Sequence, residues 1–124
     1  MYPNAINVYK NNSVNYASKE QLLLMLVDGA VKFAKQAKEA ISKKNIKNSH
    51  EYLTRTQDIF TELMISIDKS AGEWASNLFN IYEFIKNELF EINMQKDEER
   101  LDKLIPLIED VRDTWHEAYK LSKK

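Results

Sequence analysis

The chain has 124 residues, which suits one domain built on a single core. Two glycines and two prolines are too few for a turn-rich sheet protein, and the absence of cysteine excludes disulfides and thiolate chemistry. A net charge of −1 offers no basic field to attract nucleic acid or an anionic membrane. Residues 1–17 form an Asn-rich polar arm with isolated apolar points at Ile6, Val8, Tyr9, Val14 and Tyr16. Met1-Tyr2-Pro3-Asn4 lacks the positive region and apolar run of a signal peptide, so the expected location is the cytosol.

The first helix is expected to start at Ser18 and to run to about Lys43. Ser18 and Gln21 have capping-box spacing, in which each side chain bonds the other's backbone N–H. Leu23, Leu26, Ala30, Phe33, Ala37 and Ala40 make one helical stripe, but the run Leu22 to Val27 is apolar around the whole circumference. That run is too short to span a bilayer, which takes about 18 apolar residues or more. It must be buried by its own protein or keep one face for something else. Gly29 lies mid-helix, a position usually tolerated where another backbone comes close.

Lys43-Lys44-Asn45 ends that helix. The second starts between Ile46 and Ser49 and runs to about Asp68, with Leu53, Thr56, Phe60, Leu63 and Ile67 as its stripe, widened by Ile59 and Met64. Ser70-Ala71-Gly72 breaks the chain. The third helix covers about Glu73 to Asn93. Leu78, Ile81, Ile85, Leu89 and Ile92 face one way, and Trp74, Phe79, Tyr82, Phe84 and Phe90 add aromatic bulk on the flanks. Gln95-Lys96-Asp97 is a turn in which Asp97 caps the fourth helix, which reaches nearly to Lys124. Its seam is Leu101, Leu104, Ile108, Val111, Trp115 and Ala118. Pro106 inside it deletes the bond to the carbonyl of Asp102 and is expected to kink the helix. Four helices with short connections give an all-α, antiparallel four-helix bundle over residues 18–124, preceded by the arm.

Catalytic chemistry finds few candidates. The histidines are His50 and His116, and only Asp113-x-x-His116 approaches the Glu-x-x-His pattern of a di-metal bundle, with no second copy. Glu117 beside His116 would repel a phosphoryl group, which argues against a phosphorelay role. No glycine-rich phosphate loop follows a strand. No cofactor or metal is expected, and no enzyme. The apolar surplus on the first three helices points instead to binding: each carries more than the roughly 100° stripe a bundle core needs. A groove for an amphipathic partner helix accounts for it.

Four segments in order, with matching gaps, resemble the FliS family of flagellin-specific export chaperones. They are Ile6-Asn7-Val8-Tyr9 followed by Ser18 through Leu22–Val27 and Asp28-Gly29-Ala30; Leu53 to Leu63; Asn77-Leu78-Phe79-Asn80-Ile81-Tyr82-Glu83-Phe84-Ile85; and Arg112-x-x-Trp115-x-x-Ala118. Val27 stands where the family usually has tyrosine, and Thr56 where alanine is common. The resemblance implies binding of the disordered C-terminal segment of flagellin, protection from premature polymerisation and delivery to a component of the flagellar export gate. It implies candidate groove residues at Asn77, Leu78, Ile81, Tyr82 and Ile85, with Leu22, Met25, Ile59 and Leu63 beside them. Ile6 and Tyr9 of the arm would regulate access, and the family links their equivalents to the export gate. The second reading is a bundle adaptor that forms a homodimer through the same face and has no flagellin client. Neither involves nucleic acid or membrane insertion.

Overall fold

The computed structural model describes residues 18–123, and the expectations placed on the arm, including Ile6 and Tyr9, lie outside that range. Helix α1 spans Lys19–Ser42, α2 Ile46–Ser66, α3 Glu73–Gln95 and α4 Glu98–Ser122. A short 3-10 turn, Lys69–Ala71, joins α2 to α3. The helices run up and down in sequence. Each packs on its chain neighbour and α4 closes back on α1, giving the antiparallel four-helix bundle expected from the periodicity.

The helix starts follow local capping chemistry. Ser18 accepts from the N–H of Gln21, and the Gln21 side chain returns a bond to the N–H of Ser18. Asn45 caps α2 through Asn48, and Asp97 caps α4 through Arg100. Each bond satisfies a donor that the first helical turn leaves unpaired. Lys96 ends α3 in the left-handed conformation, which turns the chain at once into α4. Helix α2 stops at Ser66, two residues before the expected end, because Asp68 turns to cap the 3-10 segment. Helix α4 is continuous through Pro106, which lies on its exposed side.

The core takes Leu26, Val27, Ala30, Phe33, Ala34 and Ala37 from α1, and Leu53, Thr56, Ile59, Phe60 and Leu63 from α2. Small residues on α1 let neighbouring helices come close, and Gly29 is buried among them. Val27 is interior, so at the position where the family usually has tyrosine the chain uses an apolar contact in the core. Helix α4 supplies Leu101, Leu104, Ile105, Ile108 and Val111. Its expected seam thins at the far end, where Trp115 is half-buried and Ala118 exposed. Helix α3 departs most from expectation. Tyr82 replaces Ile81 on the buried side, together with Ala75, Ile85, Leu89 and Ile92.

Candidate functional site

Helix α3 packs closely on α2 but meets α4 over the smallest interface of the ring. Two polar clasps tie α3 and α4 together. Near the turn, Arg100 donates to both oxygens of Glu88, at 2.9 and 2.6 Å. The guanidinium holds the Glu88 carboxyl below the usual carboxylate range. At the other end, the indole Nε1–H of Trp115 donates to Tyr82 Oη at 2.8 Å. Tyr82 is only 1% exposed, and its ring sits 5.9 Å from that of Phe60. Burial pushes its phenol up to about 12, because the phenolate would lose its hydration.

Asn77, Ile81, Phe84 and Glu88 recur at helical spacing of four and three residues, so they share one flank of α3. The Glu88–Arg100 bond fixes that flank as the one turned toward α4. On α4, Arg100, Leu107, Thr114, Ala118 and Leu121 form the matching flank by the same spacing. Along the two flanks apolar surface stays open: Ile81 is 38% exposed, Phe84 54% and, beyond the Trp115 clasp, Leu121 58%. Trp74, at the start of α3, is 57% exposed. Three or four such side chains in water are what a partner-binding face requires and a closed bundle does not.

The nine expected groove residues divide. Asn77 and Ile81 are exposed, and Leu78, Leu22 and Met25 are half-buried. Tyr82, Ile85, Ile59 and Leu63 are buried in the core. Those four pack in the interior beneath the surface, and Leu63 and Tyr82 also border a cleft at one end of the bundle. Leu22 and Met25 lie on α1, away from the α3–α4 flank. Phe84 and Trp74 were visible in the sequence as aromatic bulk, but the periodicity did not single them out as the open ones.

A cleft of about 180 Å3 opens at the end of the bundle where α1 begins and α4 finishes. Leu23, Leu63 and Ile67 give it an aliphatic lining, and Trp74, Tyr82 and Trp115 an aromatic one. Gly72 shapes its edge. With φ +147° it adopts a conformation that disfavours side chains, and a Cβ there would come within 3.0 Å of Trp74 Cδ1. The histidines serve as struts between helices: His116 Nε2 meets Asp28 Oδ1 at 2.6 Å, and His50 Nδ1 meets Asn93 Nδ2 at 3.0 Å. Among the described residues no cluster of three or more His, Asp or Glu side chains could hold a metal, and no helix is long and apolar enough to cross a membrane.

The comparisons with known proteins agree with this architecture. The model of the family described as Flagellar protein FliS matches residues 2–122. The chain is 29% identical to the Flagellar secretion chaperone FliS of Bacillus subtilis over 121 residues, covering 98% of this chain and 90% of that protein. It is 29% identical to the Flagellar secretion chaperone FliS of Campylobacter jejuni, covering 93% of this chain and 91% of that one. A crystal structure of a flagellar chaperone from bacteria superposes with a TM-score of 0.74 over 97% of this chain and 98% of that one. At 15% identity that likeness concerns the fold.

Proposed function

The chain belongs to the FliS family of flagellar secretion chaperones, which are not enzymes, and we propose that it binds the disordered C-terminal segment of flagellin in the cytoplasm. Binding there would keep newly made flagellin from polymerising and would present it to the export gate. The observation that supports this reading is the open apolar flank of α3 beside α4, carrying Ile81, Phe84 and Trp74. A disordered client must offset its own ordering entropy, and burial of apolar surface is the available source. The buried residues Tyr82, Ile85, Ile59 and Leu63 act indirectly, by holding α3 in place. Asn77, Leu78, Ile81 and Phe84 make the contacts. Leu22 and Met25, on α1 away from this flank, lie off the client's path in this reading.

Calorimetric titration with the last ~40–60 residues of the host's flagellin tests the proposal, since a segment of that length covers a standard-size interface. Absence of binding would remove it. The arm supplies a regulatory element through Ile6 and Tyr9. Deleting residues 1–16 is then expected to raise dye-accessible apolar surface and to tighten flagellin binding. If neither changes, the arm has no gating role.

A further inference from the structure

Both tryptophans of the chain, Trp74 and Trp115, line the end cleft with Tyr82, and a carboxylate stands in its lining at Asp68. The cleft is well below the roughly 300 Å3 and more of a drug-sized ligand site. Its scale is that of one long side chain. Asp68 Oδ1 accepts from the N–H and hydroxyl of Ser70, at 2.9 and 2.6 Å. Those bonds hold the carboxyl below its usual range, so it is anionic at neutral pH. Asp68 has no cationic partner among the described residues. The adjacent lysine turns elsewhere, with Lys69 Nζ 4.2 Å from the centre of the Phe79 ring.

Helices α3 and α4 also carry net negative charge. Helix α3 carries Glu73, Glu83, Glu88 and Glu91 against Lys86 alone. Helix α4 carries seven carboxylates against Arg100, Lys103, Arg112 and Lys120. The two helices together hold eleven acids and five bases, an excess of six negative charges in a chain whose total is −1. The open flank therefore lies on the acidic side of the molecule, and the cleft, lined from all four helices, meets that side at Trp74 and Trp115.

We infer that the cleft is a socket for an arginine side chain carried on an apolar segment of a protein partner. The aliphatic stem would lie on Leu23, Leu63 and Ile67, as long cationic side chains commonly do on apolar surface. The flat guanidinium stacks on indole faces and pairs with a carboxylate, and Trp74, Trp115 and Asp68 provide both. A purely apolar side chain would use the stem contacts but gain nothing from the Asp68 carboxylate. The inference goes beyond the flagellin reading, because it specifies the chemistry of one anchor and does not depend on which protein brings it.

Argininamide is the probe, titrated into the full chain while the two indole N–H resonances are followed by NMR. A saturable shift of both is expected, with leucinamide giving none over the same range. Asp68→Asn keeps an oxygen able to accept from Ser70, so the turn is retained. It is expected to weaken argininamide binding about two- to fivefold, the range of a solvent-exposed ion pair. An equal saturable response to leucinamide would make the cleft a simple apolar socket and overturn the assignment. So would the lack of a saturable argininamide response, or unchanged binding in Asp68→Asn. Titration with the flagellin segment is a separate readout: binding there without an argininamide response removes this inference and leaves the client proposal standing.

Discussion

Replacing Phe84 by alanine separates a surface that binds from a surface that merely tolerates an aromatic ring. Phe84 is 54% exposed, so about half of its burial free energy remains available to a partner. Full burial of a phenylalanine is worth about 1.5–3 kcal/mol, which leaves roughly 1 kcal/mol for the client. That corresponds to about a fivefold rise in Kd. The stability cost is of similar size from the buried half, reduced by a few tenths of a kcal/mol because alanine favours the helix. Tyr82→Ala is the contrast. It removes a fully buried ring against Phe60 and should cost about 3–5 kcal/mol of stability, with client affinity falling only as the folded fraction falls. Urea unfolding gives the stability change and calorimetry with the flagellin segment gives Kd. An unchanged Kd in folded Phe84→Ala would refute the assignment of the α3–α4 flank as the client surface.

Tyr82→Phe removes only the hydroxyl that accepts from Trp115 and should cost about 1 kcal/mol in urea unfolding. The raised phenol gives a pH signature as well. With a folded value of about 12 against about 10 unfolded, the folded state holds its proton longer. Its stabilising contribution is complete below about pH 10 and is lost as pH rises toward 12. Tyr82 should ionise late in an ultraviolet phenolate titration, and that late step should vanish in Tyr82→Phe. Gly72→Ala is expected to cost about 1–2 kcal/mol, because a Cβ is disfavoured at its φ and meets the Trp74 ring, and to shift the Trp74 indole resonance. Ser18→Ala opens the capping box of α1 and should lower stability by about 1 kcal/mol, seen as a lower thermal midpoint.

The number, order and approximate ends of the helices were legible in the sequence, because caps and apolar periodicity act over one or two turns. Ser18, Asn45 and Asp97 each find their capping partner three residues away. The regular stripe of α4 from Leu101 to Val111 went to the core as spaced. Helix α3 was different. Its apolar sector is wide, flanked on one side by Ile81 and Phe84 and on the other by Phe79 and Phe90, so Ile81 and Tyr82, about 100° apart on the helix, were equally good candidates for the interior.

What the sequence determined by itself was the fold class, through local capping and the 3.6-residue repeat, and the family, through four motifs in order. The tertiary structure decided which face stays open. The neighbours of α3 lie far along the chain: Trp115 is 33 positions from Tyr82, and Arg100 is 12 from Glu88. The rotation of α3 was therefore fixed by contacts that no local spacing encodes. The same packing placed the acidic helices α3 and α4 side by side, a segregation hidden by a total charge near zero. It also gathered both tryptophans and Asp68 into one cleft.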